Sequence, residues 1–333
     1  MIFRIEEMVK SQSDQASPEF NQRDKWRHRW GVILAGGDGK RLLPLTRRIT
    51  GDDRPKQFCA VVGRETLLDQ TRGRVRRIVR TEHTALVLTK AHERFYSNLA
   101  GDADGSQELV QPHNRGTAPA IMYSLSRLRE LDPDGVVAIF PSDHYFANEA
   151  GFAADVEIGF EAAERRPDRV MLLGVTPDYP ESEYGWVEPG APLGGCLPDS
   201  VCHVARFCEK PSRPLASVLM KNGCLWNSFV MVGKIAAFLA LIRRALPRLM
   251  DVFESIQPTL FTAREDTALR EIYANIPSAS FSEKVLSRHP CALAMVCSRN
   301  LGWSDLGETS RVLSVLESKG FKPEWAQKSS VSG

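Results

Sequence analysis

The chain has 333 residues, 43% of them hydrophobic and 25% charged, with a formal net charge of +2. That length supports a full-sized core, as one large domain or two ordinary ones, in a composition typical of soluble globular proteins. The small net charge gives no global attraction to nucleic acid or an acidic membrane, and no apolar run approaches the roughly 20 residues of a membrane helix.

Residues 1–28 carry acidic residues early and no long apolar stretch, which excludes a secretory signal. They read as a polar, partly helical extension ahead of the domain, with packing on a partner subunit as the alternative. The first apolar run, WGVILAG (30–36), leads into a glycine-rich basic loop, AGGDGKR. Leu67, Leu68, Val75, Ile78 and Val79 then suit one helix face, which makes the basic stretch RGRVRRIVR (72–80) a solvated helix face. TALVLTK (84–90), GVVAIFP (135–141) and RVMLLGV (169–175) are further apolar runs bounded by turn residues or charge. Between them, Ala120, Ile121, Leu125 and Leu128, and then Phe152, Val156, Phe160 and Ala163, recur at helical spacing. Continuous apolar strands fit a sheet covered on both faces, and their alternation with helices predicts an α/β fold with a largely parallel sheet.

The second half is more mixed. YGWVEP (184–189), VCHVARFCEK (201–210) and CLWNSFVMV (224–232) read as strands, some antiparallel. Apolar spacing predicts a long helix from about Ile235 to Ile256 and a shorter one near Thr262 to Ile272. With no repeat and no Pro/Gly/Ser linker, the expectation is one compact domain over 29–320 with a small substrate lobe, then a tail over 321–333. The seven cysteines include no Cys-x-x-Cys pair; Cys196, Cys202 and Cys208, near His203, read as buried small hydrophobes in a reducing cytoplasm.

Ligands of open α/β sheets bind at the carboxyl ends of the strands, where AGGDGKR lies. Gly36, Gly37 and Gly39 let the backbone turn and approach a ligand, and their N–H groups can line a nest for phosphate oxygens. Two common motifs fail. A dinucleotide fingerprint needs glycine where Leu42 stands, and a P-loop needs glycine at Leu34 and Ser or Thr at Arg41. A plain strand–turn–helix corner with solvated cations remains the alternative. FPSDH (140–144) ends a strand with Asp143, a natural magnesium ligand beside a phosphate nest or else a helix cap. Asp305 in LGWSDLGE (301–308) sits in a turn before the last helix, where taken alone it reads as a cap, and Glu209 and Lys210 in EKP close a strand, where they read as a surface ion pair.

The ordered set ILAGGDGKRLLPLTR, RPKQF, QPHNRGTAPAI, FPSDH, PESEYGWVEPG, FCEKP, LWNS and GWSDLG resembles that of mannose-1-phosphate guanylyltransferases (GDP-mannose pyrophosphorylases), in the sugar-nucleotidyltransferase family, from about Trp30 to Gly307. The resemblance implies a Rossmann-like three-layer αβα fold with a mixed central sheet. It also implies roles. Ala35, Gly36, Gly37 and Gly39, with Arg115, Gly116 and Thr117, would bind the nucleotide. Arg41 and Lys56 would be the catalytic cations, and Asp143 and Asp305 the Mg2+ carboxylates. Gly185, Glu188, Glu209, Lys210 and Asn227 would hold the sugar phosphate.

This chain departs from the family pattern at Lys40, where Thr is common, and at Gly116, often Asn. It has a longer stretch, RITGDDR, before PKQF, and ASFSEKVLSR (279–288) puts Ser282 in place of an aspartate near the sugar. No room is expected for the β-helix or isomerase domain of some relatives.

The implied reaction joins GTP and mannose 1-phosphate with Mg2+, releasing pyrophosphate, in a cytoplasmic enzyme for which a homodimer is a candidate assembly, as for many soluble oligomers. The attacking phosphate oxygen is already ionised, so no general base is needed, and His144 reads as structural. The alternatives are another base or sugar, and a non-catalytic sugar-nucleotide-binding homologue.

Overall fold

A computed structural model describes residues 26–97 and 105–327; the expected extension thus falls outside the described residues except for Trp26–His28, as does the tail beyond residue 327. The first half runs β1 (Arg29–Leu34), α1 (Leu43–Thr50), α2 (Leu67–Val75), β2 (Thr84–Thr89), α3 (Glu93–Tyr96), β3 (Gln107–Gln111), α4 (Thr117–Leu131), β4 (Val136–Pro141), β5 (Tyr145–Phe146), α5 (Glu149–Arg165) and β6 (Val170–Val175). The second half runs β7 (Gly185–Pro192), β8 (Val201–Glu209), α6 (Arg213–Lys221), β9 (Leu225–Lys234), α7 (Ile235–Ala245), α8 (Pro247–Ser255), α9 (Glu265–Asn275), β10 (Leu293–Ser298), β11 (Trp303–Ser304), α10 (Thr309–Ser318) and α11 (Glu324–Gln327).

Nine strands form one sheet in the order β3-β2-β1-β4-β9-β6-β10-β8-β7. β1 pairs in parallel with β2 and β4, β2 with β3, and β6 with β10. β9 enters antiparallel between β4 and β6, and β7 and β8 extend the sheet antiparallel. The sheet is therefore mixed. Side chains alternate between its faces, as the two-residue period of a strand requires: Val32, Val137 and Ile139 join one core with α4, α7, α8 and α9, while Ile33, Ala138 and Phe140 join another with α2 and α5. This is the Rossmann-like three-layer αβα arrangement.

Three expectations need correction. The helix predicted over 235–256 is two helices. Pro247 has no N–H to donate and forces the residue before it out of the helical region, so Leu246 sits at φ −136°, ψ 62°. The helix carrying RGRVRRIVR stops at Val75, and two of its arginines are buried rather than solvated. The Arg74 guanidinium packs over Phe146 and Phe152, at 5.0 and 5.6 Å from the ring centres. The cysteines are not uniformly buried either: Cys196 and Cys291 are exposed. Among the described residues no group of three or more His, Cys, Asp or Glu is placed to hold a metal. No helix of the described residues is long and apolar enough to cross a membrane.

Candidate active site

The glycine loop leaves the carboxyl end of β1 beside the ends of β2 and β4. Ala35 N–H donates to the Val87 carbonyl at 2.8 Å. The buried Gln57 amide donates to the carbonyls of Ala35 (2.9 Å) and Gly37 (2.7 Å), and the Thr89 hydroxyl donates to the Gly36 carbonyl at 3.0 Å. The loop carbonyls are thus turned into the protein. A Cβ on Gly36 would lie 2.7 Å from Thr89 Oγ1, so only glycine fits against that staple. Gly39, at φ +60°, sits against the backbone N of Lys56 and opens the short turn Lys40–Leu42. Lys40 itself is exposed, 3.7 Å from Asp38.

A cavity of about 310 Å³ lies above this loop, lined by Gly36, Gly37, Gly116, Thr117, Asp143 and His144 among others. Its far wall is the 114–117 turn leading into α4. That turn is clamped from far along the chain. Ala279 N–H donates to the Arg115 carbonyl and Ala118 N–H to the Ala279 carbonyl, both at 3.0 Å, while Phe281 N–H donates to Thr117 Oγ1 at 2.8 Å. The Arg115 guanidinium is spent on the same clamp, donating to the carbonyls of Tyr273 (2.8 Å) and Ala274 (3.2 Å). Phe229 also lines the cavity, at φ +62°, a conformation a bulky side chain adopts only under constraint.

A row of alternating charges leads away from the cavity. Asp143 Oδ2 lies 3.3 Å from Lys56 Nζ. The buried Lys56 ammonium also donates to the carbonyls of Asp305 and Leu306. Asp305 Oδ2 lies 3.7 Å from Arg41, Arg41 lies 3.6 Å from Glu183, and Glu183 lies 3.4 Å from Lys210. Burial pushes the Asp305 carboxyl up, but Lys56, Arg311 and His144 beside it more than reverse this and leave it lowered to about 2. Burial lowers the His144 pKa, with Asp143 opposing, and its Nδ1 accepts from Trp303 Nε1 at 3.2 Å. The antiparallel pairing of β5 with β11 draws Asp143 and Asp305 to the same end of the molecule.

The remaining expected residues are spread along β7–β9. Gly185 pairs with Glu209, and a Cβ there would lie 2.8 Å from Glu209 Oε2. That oxygen is buried without a hydrogen-bond partner; burial pushes the carboxyl up to about 7, with Lys210 opposing and Glu283 adding. Lys210 has φ +46°. Asn227 is buried and accepts from Phe229 N–H at 3.2 Å. Glu188 is the least tied to the rest, its carboxylate paired with Arg206 across the strands at 3.1 Å. Sequence reasoning misses Gln57, Ala279, Glu183 and Arg311. Gln57, next to Lys56 in RPKQF, and Glu183, in PESEYGWVEPG, stand inside motifs that could have flagged them.

The sequence profile of the Nucleotidyl transferase family matches residues 30–319, and the chain belongs to that family. It is 30% identical over 294 residues to "Xanthan biosynthesis protein XanB" of Xanthomonas campestris pv. campestris (strain B100), covering 87% of this chain and 60% of that protein. It is 29% identical over 291 residues to "Mannose-1-phosphate guanylyltransferase 2" of Escherichia coli O157:H7, covering 83% and 57% respectively. The chain therefore spans less than two thirds of the length of these curated relatives. A solved structure described as mannose-1-phosphate geranyltransferase from Thermus thermophilus is 30% identical and superposes with a TM-score of 0.73, over 86% of this chain and 79% of that one.

Proposed function

We propose that this nucleotidyltransferase-family chain transfers a guanylyl group from GTP to mannose 1-phosphate, giving GDP-mannose and pyrophosphate. The observation that carries the reading is the row of cations, Lys56, Arg41 and Lys210, running out from a glycine-lined cavity. Attack of one phosphate on another faces an electrostatic obstacle above all, and positioned cations remove it. In this reading the Gly36–Gly39 backbone holds the triphosphate. Lys56 steadies the α-phosphate, Arg41 the departing pyrophosphate, and Lys210 the incoming sugar phosphate. Arg41 can grip phosphate with two N–H groups, which lysine cannot. His144, already engaged by Trp303, is not needed as a base because the nucleophile is ionised at neutral pH.

Asp143 and Asp305 form a donor set that fits Mg2+, which commonly takes one or two carboxylates and fills its shell with substrate phosphates and water. Asp305 Oδ1 is already engaged by three donors, leaving Oδ2 as the ligand oxygen. Bound there, Mg2+ would supply charge neutralisation on the reacting phosphates.

A panel of nucleoside triphosphates and sugar 1-phosphates, read by pyrophosphate release, tests the reading. Release with GTP and mannose 1-phosphate above every other pair is the expected result. Release only with another pair moves the assignment within the family. The segment 279–288 keeps that second outcome in view, because Glu283 acts electrostatically on Lys210 and Glu209 at the sugar end.

A further inference from the structure

Arg311 touches no substrate in the reading above, yet it is the most heavily engaged cation near the site. It stands on α10, six residues after Asp305, with its side chain 9% exposed. Its guanidinium forks. Nη1 donates to Asp305 Oδ1 at 2.6 Å and Nη2 donates to Glu181 Oε2, while the group lies 4.7 Å above the Tyr184 ring. Tyr184 OH and the Gly307 N–H donate to the same Oδ1, at 2.8 and 2.9 Å. Three donors saturate that oxygen. Oδ2 is left on the Arg41 side, 3.7 Å from its guanidinium. Gly307 is part of the fit: a Cβ there would lie 2.6 Å from Oδ2 and 3.1 Å from Arg311.

A buried ion trio is a weak device for stability, since apolar packing of the same volume often serves as well. What the fork supplies is direction. We propose that Arg311 is a positioning residue, which turns Asp305 so that Oδ2 faces the divalent cation and ties that carboxylate to the loop carrying Glu181, Glu183 and Tyr184. This rests on the nucleotidyltransferase reading, in which Asp305 is a metal ligand. A plain countercharge would weaken the carboxylate's hold on a cation. An orienting partner strengthens it, so the two roles predict opposite signs.

The test measures Mn2+ affinity of the full chain with GDP-mannose present, by electron paramagnetic resonance, in wild type, Arg311→Met and Arg311→Lys. Both variants are expected to bind Mn2+ about tenfold or more weakly, the usual effect of losing a partner that orients a metal ligand. Lysine does not rescue, because it keeps the charge but not the fork. GTP binding without metal and the melting temperature serve as controls for a purely structural effect. Unchanged or tighter Mn2+ binding in folded Arg311→Met overturns the proposal. Should that variant not fold, Glu181→Ala, which removes the far anchor of the fork, is expected to weaken Mn2+ binding several-fold, and normal binding there overturns it equally. Wild type that turns over no substrate pair refutes the functional reading; wild type that turns over, with variants binding Mn2+ normally, refutes Arg311's role alone.

Discussion

The two ends of the site are built in different ways. The cavity end is backbone: glycines whose carbonyls are tied to Gln57 and Thr89, and a turn clamped by Ala279. The other end is side chains, a file of cations each already facing a carboxylate of the protein. The first is held in shape by the protein's own hydrogen bonds. In the proposed reading the second is an exchange: phosphates would take the places beside these cations that Asp143, Asp305 and Glu183 partly fill. Specificity for a nucleotide can reside in the first, and rate in the second.

The largest expected effect lies at the charged end. Arg41→Ala or Asp143→Ala should lower kcat about a hundredfold or more, the scale of losing one preorganised charge from a reacting site. Arg41 is exposed, so the melting temperature of Arg41→Ala should hardly move, whereas Asp143→Ala strips the carboxylate from the buried Lys56 ammonium and should lower it. Near-normal turnover in either variant would abolish the distinction drawn above.

The cavity end should respond in the opposite sense. Gly116 has φ 83° and ψ −177°, a region open essentially only to glycine, and a Cβ would lie 2.6 Å from the Ala279 carbonyl. Gly116→Ala should cost about 1–3 kcal/mol of stability in a urea titration, and should raise the KM for the nucleotide more than it lowers kcat. An unchanged nucleotide KM would show that the clamped turn is not part of the nucleotide wall.

Glu209 gives the smallest and most diagnostic shift. Its folded pKa is raised to about 7 from 4.5, chiefly by burial, so the protonated form fits the fold. Its contribution to stability is present below about pH 4.5 and lost as pH rises through about 7. Glu209→Gln, which mimics the protonated acid, should therefore raise the melting temperature by a few degrees, roughly the effect of 1 kcal/mol or less, at pH 8. It should change little at pH 4. An equal gain at both values would remove the ionisation from the explanation.

The same contrast explains what could be read in advance. The strands at 29–34, 84–89, 136–141 and 170–175 are local apolar runs, and the glycine loop is a local motif, so both are plain in the sequence. Apolar spacing over 235–256 is equally plain, and Pro247 overrules it. β10 carries an apolar run as clear as the others, but it follows the unusual 279–288 segment and falls outside the early α/β alternation. Arg311 reads as one more arginine on an amphipathic helix until the fold brings Glu181 to it, across 130 positions. The Ala279 clamp is made by main-chain atoms, and no residue type advertises it.

The span of these contacts has a consequence for synthesis. Lys56 meets Asp305 across 249 positions, and Thr117 meets Phe281 across 164. A nascent chain can form β1 and its glycine turn early, yet it lacks the wall of the pocket until residue 281 has emerged and the anchor of its buried lysine until residue 305 has. Such distant closures are slow to form. Completion of the pocket is therefore late in synthesis, and under the proposed function a nucleotide added to refolding protein should trap the finished molecule rather than speed its assembly.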